Sequence, residues 1–312
     1  MANIWYIQVN RYCNNQCHFC SNPSNWKNIS YERWIELIDD FKNRNYQWII
    51  FTGWEPTLSS DLVKWIKYAV NKNIDCRVIS NWMACSKIEY AEELKKSWLN
   101  LIHFSLYSFS EKIHDFLTDT PWSYKKLIKA IQNTLKLWII VQLNCVINKY
   151  NQKHLDKTIA FVNKTFPQIK HFVWNNLDPE MMRKSNIALS CLPDFDIAWE
   201  SLIKSLSILE KSWRTYRVER LPLCFMRWFE HASTETRKII KEEERIVHFL
   251  DNRETYRELD WEHDKLEKCS ECDLNSICAW IYESKKYYNY VDVIPQKLSQ
   301  KEKKYIINKV KY

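Results

Sequence analysis

Short apolar runs alternate with longer amphipathic segments over the first two-thirds of the chain. The apolar runs are predicted strands, and they cover residues 4–9, 48–52, 76–80, 101–106, 139–147 and 170–174. The segments between them repeat their apolar positions with a helical period, at residues 31–43, 60–71, 88–96, 123–137 and 154–166. Strict alternation predicts a parallel sheet with right-handed crossovers, as either an open doubly wound sheet or a partial barrel. In both folds reactive side chains gather at the carboxyl ends of the strands.

This alternation ends after about residue 185, and a cysteine-containing tail begins near residue 221. We therefore predict a core domain over residues 1–215 and a smaller domain over residues 216–312. Residues 197–209 form a further predicted helix. The segment RTYRVER carries Arg214, Arg217 and Arg220. We predict that these arginines lie on an exposed strand or at a contact between domains, and binding of an anionic substrate is the alternative.

The composition is that of a globular protein with a mild positive charge. The 312 residues are 46% hydrophobic and carry a formal net charge of +8, with a final lysine cluster over residues 301–311. A solvated basic surface is the favoured interpretation of this charge, and a nucleic-acid-binding face is the alternative. Because no apolar run is long enough to cross a bilayer and no basic-then-apolar leader is present, we expect a soluble, cytoplasmic protein without membrane contact.

Glycine is almost absent and tryptophan is unusually frequent. At the average usage of about 7%, roughly twenty glycines are expected, whereas the chain has one glycine and 16 tryptophans. Trp26 and Trp82 follow asparagine and Trp122 follows proline, where turns favour glycine. Trp138 lies between a predicted helix and a predicted strand, where a C-cap glycine is expected. We hypothesise that most of these tryptophans are encoded by UGA, which some bacteria translate as glycine; a genuinely tryptophan-rich protein is the alternative.

Eleven cysteines in a chain without a leader indicate metal or redox chemistry rather than a disulfide framework. Cys13, Cys17 and Cys20 are spaced C-x3-C-x2-C directly after the first predicted strand. Thiolates this close together on a loop can converge on one centre, and soft sulfur ligands select zinc, copper(I) or an iron–sulfur cluster. Three ligands leave one coordination position open, which is typical of a catalytic centre rather than of a structural zinc site.

The tail carries a second cysteine group, spaced C-x2-C-x5-C, with a single cysteine upstream in LPLCF. Its members are Cys224, Cys269, Cys272 and Cys278. Four thiolates make a closed set, for which a structural zinc ion is an alternative to a cluster. The other cysteines are Cys76 and Cys145, predicted core residues, and Cys85 and Cys191, predicted loop residues.

The first cysteine group, with Phe19 before its last member, resembles the signature of the radical S-adenosylmethionine (SAM) enzymes. The resemblance implies a [4Fe–4S] cluster on Cys13, Cys17 and Cys20, with the amino and carboxylate groups of SAM on the fourth iron. It also implies a fold of α/β class, a partial (βα)6 barrel with a small C-terminal cluster-binding α+β extension. The motifs that carry it occur in order over about residues 4–180.

The segment FTGWEPTL, residues 51–58, is similar to the Gly-Gly-Glu-Pro motif of that family at the end of the second strand. The resemblance implies that Gly53, Trp54 and Pro56 lie against SAM and that Glu55 is the negative partner of its ammonium group. A backbone approaches a ligand this closely only where no side chain intervenes, which favours glycine at position 54. Three later strand ends are also similar to those of the family. This similarity implies four further SAM contacts, at Ser80, Asn81, Ser105 and Asn144.

The tail resembles the twitch/SPASM extensions of the same family, which carry auxiliary clusters. The resemblance implies one auxiliary [4Fe–4S] cluster, of the shorter twitch type, with glycine expected at Trp280. Its ligands would be Cys224, Cys269, Cys272 and Cys278.

Together these resemblances imply an enzyme that cleaves SAM reductively, so that a 5′-deoxyadenosyl radical takes a hydrogen atom from a substrate. A peptide or a cofactor precursor is the favoured substrate class, and a ferredoxin- or flavodoxin-type protein is the implied reductant. An RNA-modifying radical SAM enzyme is one alternative. A non-enzymatic, zinc-stabilised binding protein is the other.

Overall fold

Nine strands of one sheet organise the fold. A computed structural model describes residues 4–21, 25–179, 185–251, 254–258, 260–261, 263, 265–279, 287 and 293–311. Within them the strands are β1 (Ile4–Asn10), β2 (Trp48–Gly53), β3 (Asp75–Ser80), β4 (Leu101–Ser105), β5 (Ile140–Ile147), β6 (His171–Asn176), β7 (Thr215–Glu219), β8 (Arg245–His248) and β9 (Thr255–Glu258). Their order across the sheet is β7-β6-β5-β4-β3-β2-β1-β8-β9. Neighbouring strands are parallel, except that β8 and β9 are antiparallel.

Helices connect the parallel strands and cover the sheet. The described helices are α1 (Tyr31–Asn43), α2 (Leu62–Asn71), α3 (Ile88–Lys96), α4 (Glu111–Thr118), α5 (Ser123–Lys136), α6 (Leu155–Thr165), α7 (Asn186–Leu189), α8 (Phe195–Lys211), α9 (Thr234–Lys241) and α10 (Gln300–Lys311). In α1 the buried side chains follow the helical period, at Trp34, Leu37, Ile38 and Phe41. In the described part of the chain, no helix combines the length and the apolar character needed to span a bilayer.

The predicted alternation is confirmed. The six predicted strands correspond to β1–β6, and the five predicted helices between them to α1, α2, α3, α5 and α6. Strands β1–β7 follow one another across the sheet in chain order, without the reversal of a doubly wound sheet. The sheet stays open, with edges at β7 and β9, so the partial-barrel interpretation is confirmed. The segment RTYRVER contains β7, an edge strand, with Arg217 inside the strand and Arg214 and Arg220 on either side of it. Because β7, β8 and β9 continue the same sheet, the sheet crosses residue 215, and the domain boundary predicted there stays a prediction.

Left-handed backbone conformations fall mainly on tryptophan. Thirteen described residues other than glycine have a positive φ, and seven of them, with φ from 55° to 74°, are Trp26, Trp82, Trp98, Trp122, Trp138, Trp213 and Trp228. Six of these side chains are 60–94% exposed, whereas that of Trp82 is fully buried. The left-handed region disfavours any residue with a Cβ atom. The glycine-type backbone predicted at positions 26, 82, 122 and 138 is therefore confirmed, while their coding stays a hypothesis.

Three of these tryptophans end helices in the same way. Trp98, Trp138 and Trp213 follow the C-caps of α3, α5 and α8. The backbone N–H after each of them donates to the carbonyl oxygen five residues earlier, at 3.0–3.3 Å, which is a Schellman motif. Asn45 and Asn73 hold the equivalent position after α1 and α2, with the same bond. Since this position favours glycine or asparagine, tryptophan is the outlier. Trp280 lies outside the described residues.

Candidate active site

A cavity of about 390 Å³ lies at the carboxyl ends of the strands and collects most of the predicted site residues. Its wall includes Cys13, Cys17, Phe19, Cys20, Gly53, Trp54, Ser80, Asn81, Ser105 and Asn144. Glu55 and Pro56 are buried behind this wall and do not line it. The parallel sheet thus brings together loops that are far apart in sequence, as predicted for the carboxyl ends of parallel strands.

The cysteine loop follows β1 and is fixed by the end of α4. The N–H groups of Gln16 and His18 donate to the last carbonyl oxygens of α4, at 2.9 and 3.1 Å. The Phe19 ring packs edge-on against Tyr107, with ring centres 4.9 Å apart. These contacts hold the three thiols of the loop on the cavity wall.

Burial and nearby negative charge oppose ionisation of these thiols when no cation is present. Burial, followed by Glu55 and Cys20, raises the pKa of Cys13 to about 12. Burial, followed by Cys20 and Cys13, raises the pKa of Cys17 well above its ordinary value. Buried thiols of this kind become thiolates when a metal supplies the compensating positive charge. Three convergent soft donors without a fourth on the same loop fit a cluster that keeps one position open.

Gly53 stands where β2 passes closest to β1. Its φ is +128°, and a Cβ atom added to it would lie 2.4 Å from the carbonyl oxygen of Asn10. The next N–H, of Trp54, donates to that same oxygen at 3.2 Å. No residue other than glycine fits this conformation and this approach. Trp54 lies on the cavity wall, where the motif resemblance expects glycine.

Glu55 is placed differently from the prediction. The side chain is fully buried, and its carboxylate accepts hydrogen bonds from the Thr57 N–H (3.0 Å), the Thr57 hydroxyl (2.5 Å), the Ser80 hydroxyl and the Asn81 N–H (2.7 Å). Burial raises its pKa, while these donors act in the opposite direction. The carboxylate therefore ties the end of β2 to the end of β3, and does not face the cavity as a partner for an ammonium group would.

Asn81 connects the third strand end to the cysteine loop. Its side-chain amide donates to the Cys13 sulfur at 3.4 Å and to the Asn14 side chain at 2.7 Å, and its carbonyl oxygen accepts from the Met83 N–H at 3.1 Å. Ser80 accepts a hydrogen bond from the N–H of the left-handed Trp82 at 2.8 Å. The Glu55 carboxylate holds both residues, so these predicted SAM contacts are positioned by a group that lies outside the cavity.

Two further predicted contacts lie on neighbouring strands. Ser105 ends β4, and Asn144 in β5 accepts a hydrogen bond from the side-chain amide of Asn175. Both line the cavity. His103 also lines it, and burial lowers its pKa to about 3, so it is neutral at physiological pH.

The tail cysteines converge on a second cavity. The four predicted ligands line one small cavity together with apolar residues such as Leu274 and Val293. These ligands are Cys224, Cys269, Cys272 and Cys278. Burial and the other three thiols raise the pKa of Cys224. The sequence separates Cys224 from the others by more than forty positions, and the fold brings it to them.

The spacing of the thiols bears on the kind of metal centre. Among the described residues, no three histidine, cysteine, aspartate or glutamate side chains are placed to hold one metal ion. A single zinc ion draws its sulfur ligands to about 2.3 Å from the metal. The sulfur ligands of an iron–sulfur cluster bind separate iron atoms instead of one ion.

The other four cysteines are buried, and they are Cys76, Cys85, Cys145 and Cys191. Cys76 and Cys145 lie in β3 and β5, and the prediction that they are core residues is confirmed. None of the four lines the main cavity.

One part of the cavity wall was not predicted as a site. It carries Tyr6, Asp178, Glu219, Arg220, Lys238 and Arg245. Of these, the sequence pattern singled out Arg220 alone, through the alternating arginines. The position of Glu219 at the end of β7 follows the rule that strand ends line the site, once β7 is recognised as a strand.

This sequence matches one protein-family profile and a curated relative. Residues 7–162, half of the chain, match the family profile described as Radical SAM superfamily. The chain is 22% identical over 157 residues to the PqqA peptide cyclase of Bradyrhizobium diazoefficiens, which covers 49% of this chain and 41% of that protein. The chain thus spans less than half the length of this curated relative.

Two solved structures are similar to this chain in fold. SuiB of Streptococcus suis bound to S-adenosylmethionine superposes with a TM-score of 0.66 at 15% identity, over 89% of this chain and 72% of SuiB. Native anSMEcpe with bound AdoMet and the Kp18Cys peptide superposes with a TM-score of 0.67 at 14% identity, over 98% of this chain and 96% of anSMEcpe. At these identities the likeness is one of fold.

Proposed function

The chain belongs to the radical SAM superfamily, and we propose that it cleaves SAM reductively at a [4Fe–4S] cluster held by Cys13, Cys17 and Cys20. The observation that carries this proposal is the convergence of the three thiols with Gly53 on one cavity at the strand ends. When bound, the cluster and SAM supply a 5′-deoxyadenosyl radical that removes a hydrogen atom from the substrate. The residues of the chain bind and orient the reactants and exclude water.

Positioning of SAM falls to the ends of β2 and β3. Gly53 lets the backbone of β2 pass close to β1, and the Glu55 carboxylate fixes the neighbouring backbone of Asn81. Ser80, Asn81, Ser105 and Asn144 offer polar groups along the same wall. A side chain at position 54 fills part of this space, so we expect glycine there to be required for productive SAM binding.

We propose a second [4Fe–4S] cluster in the tail, in a twitch-type extension. The support is the shared cavity of Cys224, Cys269, Cys272 and Cys278. Four protein thiolates would leave no position for a substrate ligand, which favours a role in accepting or relaying an electron.

A peptide is the proposed substrate class. The curated relative is by name a peptide cyclase, and one structure of the same fold holds a peptide beside AdoMet. A cavity of about 390 Å³ can hold SAM only together with a short part of a substrate, so a peptide would enter it by one segment. A ferredoxin- or flavodoxin-type protein is the proposed reductant.

The test is SAM cleavage by the reconstituted protein. The Trp54→Gly form is loaded anaerobically with iron and sulfide, reduced with dithionite, and assayed for 5′-deoxyadenosine released from SAM. We expect release that is lost in a Cys17→Ala form of the same protein. Stoichiometric zinc binding with no nucleoside release would overturn the proposal in favour of a zinc-stabilised binding protein.

A further inference from the structure

Part of the cavity wall, formed by β7, α9 and β8, carries charged side chains and no cysteine. Glu219 ends β7 and Lys238 lies in α9, and both are partly exposed to the cavity. Within the described residues, neither side chain makes an ion pair or a hydrogen bond. The Lys238 nitrogen lies instead 3.8 Å from the ring centre of Trp261.

The other charged groups on this wall already have partners. Arg245 forms an ion pair with Glu258 at 2.5 Å. Glu235 accepts a hydrogen bond from the backbone N–H of Arg220 at 3.2 Å. Asp178 and Arg220 have further partners as well. Glu219 on β7 and Lys238 on α9 are thus two opposite charges without a hydrogen bond or an ion pair among the described residues. Lys238 is attracted only at longer range by Glu219, Glu235 and Glu258, besides its contact with the Trp261 ring.

Arg220 directly follows this strand and has a left-handed backbone, with a φ of +60°. Arginine carries a Cβ atom, so this conformation is strained. The buried Glu235, which accepts its N–H, helps to hold it there. Strained residues of this kind cluster at ligand clamps, where the surrounding structure maintains them. This observation is independent of the charges of Glu219 and Lys238 and marks the same wall.

The opposite charges of Glu219 and Lys238 restrict the net charge of a ligand that could bind to both. Burial, then Arg245, lowers the pKa of Lys238 to about 8, so the ammonium group is still largely charged at pH 7. Charges in a poorly solvated cavity are costly unless a partner reaches them. An anionic ligand would satisfy Lys238 but would bring a second negative charge to Glu219, and a cationic ligand would do the reverse. A net-neutral group that both accepts and donates hydrogen bonds satisfies both.

We propose that Glu219 and Lys238 bind one main-chain amide of a peptide substrate, with the amide carbonyl accepting from the Lys238 ammonium and the amide N–H donating to the Glu219 carboxylate. This inference rests on the proposed function and specifies how its substrate is held. The main-chain amide is the group of a peptide that combines an acceptor, a donor and no net charge. Recognition of this kind depends on the backbone, so it is independent of the charge of the peptide side chains.

The test starts with an mRNA-displayed library of heptapeptides with blocked ends, selected on the anaerobically reconstituted protein. Enriched peptides are then measured by fluorescence anisotropy against the wild type, Lys238→Met, Glu219→Gln and the matched control Lys241→Met. Lys241 is exposed at the end of the same helix. Each enriched peptide is also prepared with every main-chain amide N-methylated in turn, and with its charged side chains replaced by neutral isosteres.

We expect Lys238→Met and Glu219→Gln each to weaken binding about ten-fold or more, as loss of a hydrogen bond to a charged group would, and Lys241→Met to leave it unchanged. N-methylation at one main-chain position should weaken peptide binding to the wild type. The same N-methyl group should cause no further loss of affinity in the Glu219→Gln variant. Neutral isosteres should have little effect. The N-methyl series on the wild type keeps the test valid if a variant fails to fold.

Three results would overturn the inference: no peptide enriched over the starting library, no N-methyl position coupled to Glu219→Gln, or an effect of Lys238→Met that disappears once the peptide is neutral. The last result would show that the wall recognises side-chain charge. SAM cleavage without peptide, in the Trp54→Gly background, is measured in parallel. Cleavage without coupled peptide binding would remove this inference and leave the proposed function standing, and absence of cleavage would count against the proposed function itself.

Discussion

Replacing three exposed tryptophans by glycine should stabilise the chain. Trp98, Trp138 and Trp213 are 72%, 89% and 94% exposed, and each has a left-handed φ in a Schellman motif. A residue with a Cβ atom loses roughly 1–2 kcal/mol in this conformation, and glycine gives back about 0.5–1 kcal/mol through its greater freedom in the unfolded chain. The net gain is therefore about 0.5–1 kcal/mol per site.

The three sites end different helices, so their effects should add to about 1.5–3 kcal/mol. Urea unfolding followed by circular dichroism measures the gain as a higher midpoint at unchanged slope. The matched control replaces the same three residues by alanine, which removes the indoles but keeps the Cβ atoms, and should give no comparable gain. A further control, Trp174→Gly, removes a buried ring and should cost about 3–5 kcal/mol. A triple glycine form no more stable than the triple alanine form would refute the reasoning.

Three further predictions concern single positions. Trp54→Gly should bind SAM at least about ten-fold more tightly than the unaltered chain, by equilibrium dialysis, because the indole no longer fills the cavity wall; equal binding would contradict this. Glu55→Gln should lower the free energy of unfolding by about 3 kcal/mol, because the glutamine NH2 group would face backbone and hydroxyl groups that now donate hydrogen bonds to the carboxylate. An unchanged urea midpoint would argue against the structural role of this carboxylate. Burial lowers the pKa of His114 to about 4 from an ordinary value of 6.5. The stability that the buried neutral ring contributes is therefore fully present above pH 6.5 and is lost as the pH falls toward 4. This loss is about 3 kcal/mol, and His114→Gln should show a shallower decline of stability over that range, measured by urea titration at each pH.

Strand positions and the first cysteine centre follow from the sequence because both depend on local spacing. The apolar runs of β1–β6 alternate with helical segments, and the C-x3-C-x2-C loop directly follows a strand end. The glycine-type turns are visible from neighbouring asparagine and proline, although Trp98 and Trp213 were recognised only from their φ angles.

Side-chain direction does not follow from the sequence. Glu55 is in the expected motif, yet its carboxylate turns inward because four donors at the ends of β2 and β3 are arranged around it. Glu219 ends a five-residue edge strand, and Lys238 lies in an eight-residue helix that comes later in the chain. Their convergence depends on how the open sheet is completed by β7 and β8.

Electron paramagnetic resonance of a single-cluster form tests the central claim most directly. In the Trp54→Gly protein, the four cysteines proposed as tail ligands are replaced by alanine, so that the loop of Cys13, Cys17 and Cys20 is the proposed iron site that remains. These four are Cys224, Cys269, Cys272 and Cys278. After anaerobic reconstitution and reduction, we predict one [4Fe–4S] signal whose g-values change when SAM is added. A signal that SAM leaves unchanged, or one that persists and still responds to SAM after Cys17→Ala, would contradict the account.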